Sequence, residues 1–292
     1  VIIDKQPGWT SHDVVNKARR ILGERSIGHL GTLDPLATGV LPLLIGPATR
    51  LAKFYGHADK VYEARVRFGF ATDTYDSEGE RTTEEVPVHL DREELEHALA
   101  RFRGITEQTP PQFSAKKIAG VPAYKMARKK ETVVLAPVQI EIFSLELLEI
   151  LQNEAILRVH CGSGTYVRSL AHDLGCALGV GAHLTALRRT RSGDFDIGQA
   201  FTLDRLEQMK MDGDLASAIL PAAELLPSFP VVIADDSTAA DIRMGRNFRT
   251  SPFRVPPGAL LIKAVTETGA LLAIAEAVLP HVYHPIVVFP QT

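Results

Sequence analysis

Gly28-His29-Leu30-Gly31-Thr32-Leu33-Asp34-Pro35-Leu36-Ala37-Thr38-Gly39 is the least ordinary stretch of this 292-residue chain. Asp34 stands directly before Pro35, where a carboxylate can cap a helix that the proline begins, and an Asp-Pro helix start needs no function. Against that plain reading stands the crowding around it. Gly28, Gly31, Gly39, Gly46 and Gly56, with Pro35, Pro42 and Pro47, break residues 24–60 into loop and short helix. An irregular segment of that length has to rest on a rigid scaffold, and His29 lies nearby in the sequence. No GxxxxGK(S/T) and no GxGxxG occurs anywhere, so a nucleotide-phosphate cradle has little support.

On both sides of this stretch the patterns are regular. Residues 11–22 predict a helix, with Ser11 as a cap, Val14, Ala18, Ile21 and Leu22 on one face, and Gly23 at the exit. From Val61 to Phe70 the residues alternate, with Tyr62, Ala64, Val66, Phe68 and Phe70 on one side and Glu63, Arg65 and Arg67 on the other, which is a half-buried strand. Asp91 with Glu94 starts a second helix whose stripe is Leu95, Ala98, Leu99 and Phe102. Strands are expected over 138–149 and 154–161. The turn Gly162-Ser163-Gly164-Thr165 then leads to a helix bearing Val167, Leu170, Ala171, Leu174 and Leu178 inward. After the stretch Leu220 to Pro230 the chain turns to short strands, Ala259 to Val265 and Ala270 to Val278, around the turn Thr266 to Gly269. Strands and helices mix without regular alternation, so the fold class is α+β rather than a doubly wound parallel sheet.

Composition narrows the function. With 32 Lys and Arg against 35 Asp and Glu the net charge is -3, which excludes binding of nucleic acid by bulk attraction. The charge is nevertheless polarised. Arg101 to Lys130 carries eight basic residues against Glu107 alone, a net +7, with Phe102, Phe113 and Tyr124 interleaved for stacking on bases. Cys161 and Cys176 form no CxxC and no framework of pairs, which suits a reducing cytoplasm. The apolar runs fall far short of the roughly 18 residues of a membrane span. The opening Val1-Ile2-Ile3-Asp4 lacks a basic-then-apolar leader and reads as a trimmed start.

Other constellations are weaker. His12-Asp13 and His172-Asp173 suit helix starts or surface, His281 and His284 lack a third ligand, and no metal is expected. Cys161-Gly162-Ser163-Gly164 lacks the GxSxG spacing of a nucleophile elbow. Arg168 falls in the first turn of its helix, where the helix dipole disfavours a cation unless an anion pairs with it. Asp34 is a suitable partner.

The loop from Gly28 through Val40-Leu41-Pro42 resembles the catalytic motif of the TruB family of pseudouridine synthases, and the likeness extends along most of the chain. Asp4-Lys5-Gln6-Pro7-Gly8-Trp9-Thr10-Ser11 is similar to that family's opening segment, Lys60-Val61-Tyr62 to its tyrosine strand and Thr72-Asp73-Thr74-Tyr75-Asp76 to the acidic turn after it. Gly164-Thr165-Tyr166-Val167-Arg168 resembles its arginine motif, and Gly181-Ala182-His183-Leu184-Thr185-Ala186-Leu187-Arg188-Arg189 its late leucine motif. Ser163 departs from the pattern, standing where many bacterial members carry Lys.

The resemblance implies a catalytic domain over residues 1–228 with a mixed, largely antiparallel sheet. A small β-rich, PUA-like RNA-binding domain would follow over 229–292. It implies isomerisation of the T-loop uridine (position 55) of tRNA, a cytoplasmic monomer, and neither cofactor nor metal. Asp34 would be the catalytic aspartate, Arg168 its partner and Tyr62 the group against the base. His29 would insert beside the extruded nucleotide, Tyr166 and Leu187 would line the pocket, and Asp76 would contact substrate. The basic segment 101–130 would close over RNA through Lys116, Lys117, Lys129 and Lys130. A catalytically silent tRNA-binding or tRNA-folding protein of the same fold is the alternative, and Asp34, Tyr62 and Arg168 together favour the enzyme.

Overall fold

The structure, a computed structural model, describes residues 1–113, 135–251 and 255–290, with the backbone alone of residues 117, 118, 121 and 122. Chain order begins with β1 (Ile2–Lys5), α1 (Ser11–Leu22), β2 (Ile27–His29), β3 (Thr38–Ile45) and β4 (Lys60–Phe68). It continues with α2 (Arg92–Ala100), β5 (Gly104–Gln108), the two-residue pair β6 (Lys117–Ile118) and β7 (Val121–Pro122), β8 (Val138–Leu151) and β9 (Glu154–Cys161). Then follow α3 (Val167–Ala177), β10 (Ala182–Ser192), β11 (Phe195–Asp196) and α4 (Leu203–Met211). The last part comprises β12 (Val231–Ile233), α5 (Asp236–Arg243), β13 (Phe248–Arg249), β14 (Leu261–Val265), β15 (Leu271–Leu279) and β16 (Val282–Val288).

The large sheet runs β1-β3-β10-β4-β9-β8-β5, with β2 on β3 and β11 on β10. Only the β3–β10 pair in it is parallel, so the sheet is mixed and largely antiparallel, and the fold is α+β as expected. A second sheet, β12-β14-β15-β16-β13, forms the small unit near the C-terminus. Among the described residues no helix is long and apolar enough to cross a membrane.

Helix α1 forms where its pattern places it, but its cap is Thr10, which accepts from the Asp13 amide in a reciprocal capping box. Ser11, expected to cap, is buried and reaches instead into the loop around Asp34. The larger correction concerns residues 24–60. They are not simply loop and short helix, because Thr38–Ile45 is a strand inside the sheet. Its apolar run does not alternate, since both of its faces are buried. Leu41 and Leu43 face a core shared with Val14, Ala18, Leu95, Leu99 and Leu170 from the helices. Val40 and Leu44 face a second core completed by Leu225, Leu271, Ile274 and Val287 near the C-terminus. Pro42 is tolerated because it lies beyond Thr38 and Gly39, where pairing with β10 ends.

Gly39 is where β3 and β10 come closest. Its φ is +97°, and a Cβ there would lie 2.2 Å from the carbonyl oxygen of Arg189. Only bare backbone fits. Gly39→Ala is therefore expected to cost on the order of 3–5 kcal/mol. Thermal unfolding should show a midpoint lowered by roughly 10 °C or more.

Strand β10 is not foreseen from the sequence pattern, even though its residues make up a motif. Register shifts between Leu184 and Ala186 and between Arg189 and Arg191 interrupt its alternation. It is nonetheless central, running between β3 and β4.

Candidate active site

Asp34 sits on a loop fixed on both sides. The Ser11 hydroxyl accepts from the Leu33 amide at 2.8 Å and donates to the Leu33 carbonyl at 3.1 Å. One residue past Asp34, the Pro35 carbonyl accepts from the Gly8 amide at 2.9 Å and from Lys5 Nζ at 3.1 Å. Pro35 begins no helix; the Ala37 amide donates to the Asp34 carbonyl at 3.0 Å and closes a turn. The carboxylate is thus free of any capping duty. It points into a cavity of about 320 Å³ lined by Asp34, Tyr62, Tyr166, Arg168, Leu187 and Arg189, among others.

Helix α3 delivers Arg168 to this cavity from the opposite side. Its side chain is only 5% exposed, and its Nε lies 2.9 Å from Asp34 Oδ2. Nη1 lies 3.4 Å from Asp76 Oδ2 and donates to the Thr74 carbonyl at 3.2 Å, and Nη2 donates to the Phe113 carbonyl at 2.9 Å. Two carboxylates thereby offset the unfavourable place of a cation at a helix start. The entry of α3 is itself clamped, since the Gln108 side chain accepts from the Tyr166 amide at 2.8 Å and donates to its carbonyl at 3.1 Å. Gln108 had no signal in the sequence.

Burial among protein atoms pushes the Asp34 carboxyl above the usual carboxylate range, against the pull of Arg168, and the negative charge of Asp76 adds to the rise. Even so, 39% of the Asp34 side chain remains open, toward the cavity. Buried Lys5 stands behind the loop with its own pKa lowered to about 8, chiefly by burial, while the charge of Asp34 opposes the fall. Tyr62, on β4, is buried in the cavity wall. Burial raises its pKa against the pull of the nearby Arg189 charge, so the hydroxyl stays protonated at neutral pH. Leu187 and Arg189 come from the same face of β10, which makes Arg189, quoted in the sequence only as the end of a motif, a wall of the site.

Asp34, Tyr62, Arg168, Tyr166 and Leu187 are thus brought together. Asp76 is not on the cavity wall. It is 3% exposed, and its carboxylate accepts from Thr74 Oγ1 at 2.6 Å and from the Glu78 amide at 3.1 Å while facing Arg168. It faces the same arginine that pairs with Asp34. His29 lies next door, in a smaller hollow of about 160 Å³, where burial and the charge of Arg189 keep its imidazole neutral. Lys116, Lys129 and Lys130 lie outside the described residues, and only the backbone of Lys117 is described. Among the described residues no group of three or more His, Cys, Asp or Glu side chains is placed to hold a metal ion.

A carboxylate beside an arginine in a tyrosine-walled cavity is suited to act on the sugar of a base held against the ring. Residues 19–167 match the TruB family pseudouridylate synthase (N terminal domain), and residues 168–227 match the tRNA pseudouridylate synthase B C-terminal domain. The chain belongs to the TruB family. It is 56% identical over 288 residues to the tRNA pseudouridine synthase B of Solibacter usitatus, covering 99% of this chain and 98% of that one. It is 46% identical over 230 residues to the protein of the same name from Syntrophotalea carbinolica, covering 79% and 75%. Among solved structures it resembles a chain in an H/ACA RNP bound to a substrate RNA containing 2′-deoxyuridine, with a TM-score of 0.74, 26% identity and coverage of 100% and 84%. A chain in a Cbf5-Nop10-Gar1 complex gives 0.72 and 28%, with coverage of 100% and 83%.

Proposed function

We propose that the chain isomerises uridine to pseudouridine in tRNA, at the T-loop uridine of position 55. The observation that carries this reading is the Asp34–Arg168 ion pair of 2.9 Å in a cavity walled by Tyr62 and Leu187, in a chain of this family. In the reaction the N1–C1′ glycosidic bond breaks, the uracil turns, C5 bonds to C1′, the C5 hydrogen leaves as a proton and N1 takes up a proton in place of its lost bond, so the product is an isomer of the substrate. Asp34 acts at the ribose, Arg168 keeps it ionised and aimed, and Tyr62, Tyr166 and Leu187 keep the detached base from escaping. Reaching a base folded in the T loop requires flipping it out at a cost of a few kcal/mol, which stacking and phosphate contacts offset. His29 stands at the cavity's edge, where it can fill the place the base vacates.

We further take the catalytic unit as residues 1–228 and the PUA-like unit as 229–292, acting as a cytoplasmic monomer. Tritium release from C5-labelled uridine in a tRNA transcript tests the reading. One equivalent per transcript is expected, and none when the T-loop uridine is replaced by cytidine. Release that survives this replacement would overturn the T-loop assignment.

The +7 segment supplies the electrostatic part of binding on this reading. Changing Lys116, Lys117, Lys129 and Lys130 to Ala should weaken tRNA affinity for every sequence alike. The plot of log affinity against log salt should flatten by about 0.7 to 0.9 for each phosphate that the variant no longer neutralises. Superimposable lines for variant and wild type would place RNA elsewhere.

A further inference from the structure

We propose that Lys60 and Arg189 form an anion site at the edge of the cavity that takes a phosphodiester of the RNA backbone adjoining the flipped uridine. The inference rests on the reading that the substrate is RNA and adds where its backbone is gripped. Strands β4 and β10 bring the two cations together over Gly31. A Cβ on Gly31 would lie 3.3 Å from Arg189 Nη1 and 3.8 Å from Lys60 Cε, so both chains close on exposed backbone that carries no side chain.

Among the described cations that line the cavity, these two differ from Arg168 in having no acidic partner. Arg168 pairs with Asp34 and Asp76, Arg188 with Asp4 and Arg191 with Asp59. Among the described residues neither Lys60 nor Arg189 has a carboxylate within 4.0 Å. Arg189 is 1% exposed and donates to neutral carbonyls, from Nε to Val40 at 2.8 Å and from Nη2 to Gly31 at 3.0 Å. Lys60 Nζ donates to the Ala58 carbonyl. The nearby acids are already engaged: Asp34 by Arg168, and Asp59 by His160 at 2.5 Å and Arg191 at 2.8 Å. Burial chiefly, and then the charge of Arg189, lower the pKa of both Lys60 and His29.

Partly desolvated like charges raise the free energy of the empty protein and are relieved when an anion enters. A phosphodiester suits the pair, offering two oxygens to a planar guanidinium and a compact ammonium. Position supports this occupant. Lys60 and Gly31 border both the main cavity and the smaller hollow beside His29, so a nucleotide with its base against Tyr62 would have its backbone at the divide.

The test uses T-arm stem-loop RNAs in which the phosphate on the 5′ or the 3′ side of the target uridine is replaced by an uncharged methylphosphonate. Wild type is expected to lose about tenfold or more in affinity for one of the two. Lys60→Met should lose a similar factor with natural RNA and show no further loss with that methylphosphonate, while Lys60→Arg restores the preference. Thermal unfolding of each variant checks that it folds. Equal binding of all three RNAs by wild type, or losses that simply multiply in Lys60→Met, would overturn the proposal. Tritium release by wild type on natural RNA, run alongside, separates the two readings. Activity without phosphate coupling removes the anion site alone, whereas coupling without activity upholds the site and counts against the isomerase reading.

Discussion

Asp34→Asn is expected to lower turnover by on the order of 10³ or more while leaving tRNA affinity within about threefold of wild type. Asparagine keeps the size of the side chain, and the tethers at Leu33 and Pro35 are backbone contacts that do not depend on it. What is lost is the negative charge in the cavity and the oxygen able to act at the ribose. Single-turnover tritium release at saturating enzyme, with affinity measured separately, separates chemistry from binding. Turnover within tenfold of wild type would remove Asp34 from the chemistry.

Arg168→Met carries the second large effect, and its signature includes pH. Arg168 is the principal influence holding the Asp34 carboxyl down, against burial and Asp76, which push it up. Without the guanidinium the pKa of Asp34 rises further. On the proposed reading the reaction uses the ionised carboxylate and the rate falls as pH drops through that pKa, so the acid limb of the pH–rate profile should move to higher pH in the variant. At neutral pH the rate should fall by about a hundredfold, through the combined loss of ionisation and aim. The same change leaves Asp76 buried without its cation, which should lower stability by about 3–5 kcal/mol. An acid limb in the same place as that of wild type would show that Arg168 does not control Asp34.

The parts of this fold that sequence could disclose are those with one buried face. Strand β4 alternates because one side is solvated, and α1 and α3 show stripes for the same reason. Strand β3 is buried on both sides and presents an unbroken apolar run with a proline in it, which carries no period. In β10 two register shifts and three arginines hide a strand at the centre of the sheet. Within the site, the helix-dipole argument correctly demanded an anion for Arg168 and named Asp34, but spacing could not disclose that Asp76 shares the same guanidinium. Nor could it show that Lys5 is fully buried or that Arg189 finds no carboxylate within 4.0 Å among the described residues, since both facts depend on strands brought together from distant parts of the chain.

The second apolar core has a bearing on how the two parts of the molecule can be handled separately. Leu30 and Val40 flank the catalytic loop, and both pack in a cluster with Leu271, Ile274, Val287 and Phe289 from the C-terminal sheet. Lys263 stitches the same seam, donating to the carbonyls of Ala223 and Leu225 at 2.8 Å and 2.9 Å. The small unit is therefore a buttress to the loop as well as an appendage. Excising it would strip the backing from β3 and let the loop breathe, so an inactive truncation would report a slackened active site as readily as a missing hold on RNA. The two parts are a single mechanical device, and a graft of either onto another protein would have to carry that shared seam with it.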